Sequence, residues 1–165
     1  MQRFTLFLLL SFSGYLINIA AQDPNIKLYT PSRDAKLQID SALKIAKNQN
    51  KHVLLQIGGN WCSWCILLHK FYSSDFQLDS AISANYVVVH LNYSPENKNL
   101  EILKLLEFPQ RFGFPVLVIL DANGIRLHTQ NTVYLEEGRG YSKEKLLDFL
   151  KAWSPDALNP KHYLK

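Results

Sequence analysis

The stretch GGNWCSWCILLHK, residues 58–70, holds both cysteines of the chain, Cys62 and Cys65. Immediately before it, HVLLQIG, residues 52–58, is a short and mostly apolar run closed by a glycine pair, which reads as a buried strand. After it, residues 61–77 carry a helical pattern with the cysteines in the first turns. YVVVHLNY, residues 86–93, is a second buried strand, so the cysteine pair sits where a strand hands over to a helix inside a strand-helix-strand unit.

Further out, Ser32 is placed to cap a helix whose apolar positions Ala35, Ile39, Ala42, Leu43 and Ala46 recur at three and four residues, ending near Asn50. Residues 96–112 read as a helix that Pro109 must break or kink. PVLVIL, residues 115–120, is a third strand, the DANG that follows supplies an Asn-Gly turn, and IRLHTQNTV returns as a fourth, half-exposed strand. A closing helix runs from Ser142 to Trp153, and Pro155 and Pro160 mark a loose tail. Early alternation with a late hairpin predicts a mixed sheet, parallel then antiparallel, covered by helices on both faces.

A chain of 165 residues that is 47% hydrophobic and 12% aromatic has room for one domain with a real core. Its net charge of +4 comes from scattered residues with no basic stripe, which argues against nucleic acid as a partner. The N-terminus, MQRFTLFLLLSFSGYLINIAAQ, is basic only at Arg3, apolar up to Ile17 and closes on Ala20 and Ala21. That is the grammar of an export signal cleaved after Ala21; the apolar run, diluted by Ser11, Ser13 and Gly14, is shorter than the roughly 20 residues of a spanning helix. The expected organisation is a signal peptide at residues 1–21, a lead-in at 22–34, one domain at 35–153 and a tail at 154–165, giving a soluble periplasmic or secreted monomer without membrane insertion.

Three chemistries compete for the cysteines. A structural disulfide across two residues closes a loop worth only about 2 kcal/mol, and a domain with this core does not need it. A metal site would use Cys62, Cys65 and His69, which share a helical face and suit copper, but there is no second cysteine pair, and His52, His90, His128 and His162 form no paired spacing. Context favours redox chemistry: unpaired N–H groups and the positive end of the helix dipole stabilise a thiolate at Cys62, while Cys65, nearly a turn further in, faces the protein and is placed to resolve a mixed disulfide.

Strand, then WCSWC, then GFP leading into a strand, resembles the thioredoxin superfamily, and more narrowly the secreted thioredoxin-like proteins with a W-C-x-W-C site. The resemblance covers about residues 35–153. It implies an α/β thioredoxin-like fold, a central mixed four-stranded sheet flanked by helices on both faces with an extra N-terminal helix. It also implies a cis bond at Phe114–Pro115, whose backbone would face an extended substrate peptide across from Cys62. Thioredoxin itself has Gly-Pro between its cysteines where this chain has Ser63 and Trp64, and its buried Asp and the Lys paired with it are replaced by Gln56 and His90. Gln56 cannot act as a base; a neutral His90 can, and is the candidate for deprotonating Cys65. Trp61, Trp64, Phe114 and Pro115 form the expected substrate rim, with Trp64 the most exposed.

The expected protein is a thiol-disulfide oxidoreductase that needs no cofactor beyond its cysteines. It would act on exported protein substrates with thiols or disulfides, in the reducing direction because an oxidant or isomerase often carries an added dimerisation or helical domain. A membrane protein relaying electrons is the implied donor. A peptide-binding, chaperone-like module is the competing class, followed by copper handling.

Overall fold

Asp34, rather than Ser32, starts the first helix. In a computed structural model, which describes residues 27–164, its carboxylate accepts from the Leu37 N–H at 2.9 Å and so satisfies one of the open donors of helix α1 (Ala35–Gln49). The helix ends where Asn50 turns left-handed, and Ala35, Ala42 and Ala46 form its buried face. The expected export signal lies outside the described residues, and among those described no helix is long and apolar enough to cross a membrane.

Strand β1 (His52–Gly58) is buried along its whole length. It pairs parallel with β2 (Tyr86–Asn92) and antiparallel with β3 (Val116–Leu120), which pairs antiparallel with β4 (Arg126–Asn131). The order β2-β1-β3-β4 is the mixed four-stranded sheet expected from the sequence. Alternation along β1 sends Val53, Leu55 and Ile57 to one core, with the alanines of α1, and Leu54 to the other. That second core receives α2 (Ser63–Ser74), α3 (Phe76–Asn85) and α5 (Lys143–Ala152), so helices cover both faces.

Several elements differ from the sequence reading, each for a local reason. The helix expected over residues 61–77 is two helices, because Asp75 leaves the helical conformation and its carboxylate caps α3 by accepting from the Gln77 and Leu78 N–H groups. Of the helix expected over residues 96–112 only α4 (Leu100–Leu105) forms, followed by a 3-10 turn at Pro109–Phe112. Phe108, barred from the α region by the proline after it, is left-handed at φ 58°. Ahead of α4 the side chains of Asn92 and Asn99 bond the carbonyls of Asn97 and Asn92, holding the chain as a turn. The β3–β4 hairpin exists, but its register shifts between Ile119 and Leu120, and the turn runs through Gly124 at φ 86°. A small ladder of β5 (Glu136–Glu137) and β6 (Gly140–Tyr141) precedes α5 and is too short to leave a pattern in the sequence.

The sheet meets α2 at closest range where β1 ends. A Cβ on Gly58 would stand 2.3 Å from the Cys65 sulfur and 3.0 Å from the Tyr29 hydroxyl, well inside van der Waals contact. Gly58→Ala should therefore cost about 1–3 kcal/mol, read from chemical denaturation of the oxidised protein; stability equal to wild type would show that this junction is not close-packed.

Candidate active site

Cys62 is the N-cap of α2. Its backbone is extended, and its sulfur accepts from the Cys65 N–H at 3.1 Å. The first turn of a helix offers donors with no partner inside the helix, so a negative charge on this sulfur meets an N–H group and the positive dipole end together. Cys62 and Cys65 are joined in a disulfide with an S–S distance of 2.09 Å and Cα atoms 5.2 Å apart. Cys62 keeps 5% of its surface and Cys65 none, so the outer sulfur is the one a substrate can reach.

An aromatic rim flanks the pair. Trp61 is 57% exposed, held by its indole N–H donating to the Tyr93 carbonyl at 2.7 Å and edge-on to Phe114 with ring centres 5.7 Å apart. Phe114 packs against the cysteine cluster and lies 4.6 Å from the Tyr93 ring. Gly59 makes the arrangement possible, because a Cβ there would lie 2.4 Å from the Trp61 indole nitrogen and 2.6 Å from the Tyr93 carbonyl oxygen. Trp64 differs from expectation: it is half-buried, edge-on to Tyr141 at 5.5 Å, so Trp61 and not Trp64 is the exposed tryptophan. The reason is register, since Trp64 lies on the side of α2 that turns toward the second core.

The Phe114–Pro115 bond is cis, as the resemblance implies. The Pro115 carbonyl is already occupied, accepting from the buried Thr132 hydroxyl at 2.6 Å. Among the described residues no backbone hydrogen bond engages the Phe114 N–H.

Behind the disulfide lies a buried polar group. Gln56 is fully buried; its Nε2 donates to the Tyr29 hydroxyl at 2.8 Å and to the Cys65 carbonyl at 2.9 Å, while its Oε1 has no partner. His90 stands opposite Gln56 in the β1–β2 register. Its Nε2 pairs with the Tyr72 hydroxyl at 2.9 Å, and the same hydroxyl meets His69 Nδ1 at 3.0 Å. The two imidazoles are edge-on at 5.1 Å. These bonds tie His69 and His90 to Tyr72, and no hydrogen bond joins either ring to a cysteine. Burial, helped by the neighbouring His69, pulls the His90 pKa from 6.5 to about 4, and burial lowers His69 as well. Both rings are therefore neutral at pH 7. Among the described residues no three His, Cys, Asp or Glu side chains are grouped to hold a metal ion, so His69 is not assembled with the cysteines into the copper site weighed from spacing.

Two residues packed at the cysteines were missed by sequence reasoning. Tyr29, in what reads as an irregular lead-in, is 1% exposed and packs against Cys62 and Cys65. Asn60, inside the GGN turn, clamps it: the Tyr29 N–H donates to Asn60 Oδ1 at 2.9 Å, and Asn60 Nδ2 donates to the Tyr29 carbonyl at 2.8 Å. An isolated tyrosine before a helix carries no periodic signal that would expose this contact.

Comparison with known proteins agrees with the geometry. A family model described as a thioredoxin-like domain matches residues 39–151. The chain is 31% identical over 116 residues to a protein named disulfide bond reductase DsbH from Chlamydia pneumoniae, spanning 65% of this chain and 70% of that one. It superposes on a disulphide isomerase from Xylella fastidiosa Temecula1 with a TM-score of 0.65 and 28% identity, covering 74% of this chain and 93% of the other. A structure named DsbH oxidoreductase shares the fold at a TM-score of 0.50 and 22% identity, covering 89% and 96% of the two chains.

The lowered His90 pKa has a consequence for stability. Between about pH 6.5 and 4 the unfolded chain binds a proton that the folded ring resists. Stability should thus fall as pH drops through that window, and His90→Gln should flatten the slope in urea titrations at fixed pH values. An equal slope in the variant would contradict the burial argument.

Proposed function

The chain belongs to the thioredoxin-like domain family and is a thiol-disulfide oxidoreductase, and from that premise we propose that it reduces disulfides in exported protein substrates. The observation that carries the reading is the placement of the cysteines: Cys62 caps the N-terminus of α2 and keeps a small exposed fraction, with Cys65 wholly buried beside it. Support for the reducing direction comes from the similarity to a protein named a disulfide bond reductase. The sequence grammar of residues 1–21 supports export to the periplasm or beyond.

In the reduced enzyme the Cys62 thiolate attacks one sulfur of a substrate disulfide. That bond breaks, and the displaced substrate sulfur leaves with the electron pair and takes a proton. Cys65 then gives up its proton and attacks the Cys62 sulfur; the mixed disulfide opens and the second substrate thiol departs. The substrate has gained two electrons, and the enzyme is left as the Cys62–Cys65 disulfide. Return to the dithiol needs an external donor, for which a membrane protein relaying electrons is the proposed partner, with the enzyme acting as a monomer.

The rim of Trp61, Phe114 and Tyr93 favours extended, apolar segments over small charged molecules; Trp64 and Pro115 complete the proposed contact surface. His90, neutral at working pH and with its ring edge-on to Tyr29 at 5.8 Å, is the proposed acceptor of the Cys65 proton once the disulfide has opened.

Turnover of insulin with dithiothreitol as donor tests the reading. Wild type should accelerate precipitation of the reduced chains, Cys62→Ser should abolish the acceleration, and Cys65→Ser should accumulate a mixed disulfide at Cys62. A Cys62→Ser, Cys65→Ser double variant that still holds unfolded client as well as wild type, with no insulin turnover by wild type, would favour the peptide-binding module instead. For His90, a resolving step whose pH profile is unchanged in His90→Gln would remove it from the mechanism.

A further inference from the structure

Tyr29 lies outside residues 39–151, the segment matched by the family model, yet its hydroxyl reaches the innermost part of the site. It and the Cys65 sulfur border the same space, 3.0 Å and 2.3 Å from where a Cβ on Gly58 would stand. The hydroxyl accepts from Gln56 Nε2, which leaves its own proton to give. The Nε2 group also holds the Cys65 carbonyl, so one amide fixes the hydroxyl and the cysteine backbone in relation to each other. The tyrosine is locked from the other end by the two-bond Asn60 clamp. With the disulfide closed, this pocket contains hydrogen-bonding capacity that is not used: the Tyr29 proton, and the buried Gln56 Oε1.

We propose that Tyr29 is a positioning residue for the resolving sulfur: when the disulfide opens, its hydroxyl donates to Cys65 and holds that sulfur charged and aimed at Cys62. The proposal rests on the reading that Cys65 resolves the mixed disulfide. Tyr29 keeps its proton throughout. Before attack Cys65 gives its proton up to His90, the acceptor proposed above; the new bond forms between the Cys65 and Cys62 sulfurs, and the electron pair of the broken mixed disulfide leaves on the substrate sulfur.

The physical need is clear from what surrounds Cys65. Of the elements packed around it, α2 carries His69, Lys70 and Tyr72 with Cys62 as its cap, β1 carries His52, β2 carries Tyr86 and His90, and β6 carries Tyr141; only Cys62 and Tyr29 share a buried cluster with Cys65. Burial holds Tyr29, Tyr72 and Tyr141 in their neutral, protonated form and lowers both His69 and His90, so these neighbours are uncharged when Cys65 is still a thiol. A thiolate buried among uncharged groups is disfavoured unless something donates to it. A donor from an otherwise neutral hydroxyl answers that need, because a hydrogen bond to the charged form is stronger than one to the thiol.

The test is an NMR titration of the cysteine β-carbons in the reduced full-length protein. Tyr29→Phe keeps the ring and removes the donor; the Cys65 midpoint should rise by about one pH unit, a tenfold smaller thiolate fraction at a fixed pH below the midpoint, while Cys62 moves little. The resolving step should slow in proportion, measured as decay of the mixed disulfide. An unchanged Cys65 midpoint and decay rate would overturn the proposal. If Tyr29→Phe does not fold, Asn60→Ala keeps the hydroxyl but releases its clamp and should shift the midpoint in the same direction; an unshifted midpoint there would equally overturn it. Insulin turnover measured alongside separates the two claims, since an inactive wild type counts against the reductase reading while the titration still judges Tyr29.

Discussion

Everything at this site depends on how closely the first turn of α2 rests on the end of β1. Gly58 has no side chain, and the Cys65 sulfur occupies the space a Cβ would take. That contact buries the inner cysteine completely, while the outer one, the helix cap, keeps 5% of its surface. The difference in exposure between the two sulfurs, on which the proposed roles rest, is thus a packing result. The neighbouring Gly59 works in the same way for the rim: without its bare backbone, the Trp61 indole could not reach the Tyr93 carbonyl.

A second layer of order comes from polar side chains acting on backbone. Asn60 sits between the glycine pair and the cysteines and uses both ends of its amide to hold Tyr29. Gln56, the one polar residue inside β1 with its side chain wholly buried, uses its Nε2 to join Tyr29 to Cys65. The lead-in segment is thereby made part of the active site, although it contributes nothing to the sheet. The two histidines and Tyr72 form an adjoining hydrogen-bonded group, its imidazoles lowered in pKa by burial.

The sheet order and both helical layers were legible because three strands are mostly apolar runs, the fourth follows an Asn-Gly turn, and α1 has clear three-and-four spacing. The cysteines, the cis proline and the rim residues Trp61 and Phe114 were legible through a compact motif and its resemblance. What failed was local. Asp75 and the Asn92, Asn97 and Asn99 cluster replace helical hydrogen bonds with side-chain caps, and periodicity cannot count such bonds. Trp64 was misjudged because the direction of a side chain in the first turn of a helix depends on how the helix docks. Tyr29 and Asn60 are joined across thirty-one positions of chain, a pairing for which the sequence offers no pattern.

The central claim is that this dithiol is built to give electrons. Its most direct measurement is the reduction potential of the Cys62–Cys65 couple, taken by equilibrating residues 22–165 in glutathione and dithiothreitol buffers. The account predicts a value of about −250 mV or lower, in the range of thioredoxin. A value of about −150 mV, in the range of disulfide isomerases and oxidants, would contradict it and reverse the assigned direction of electron flow.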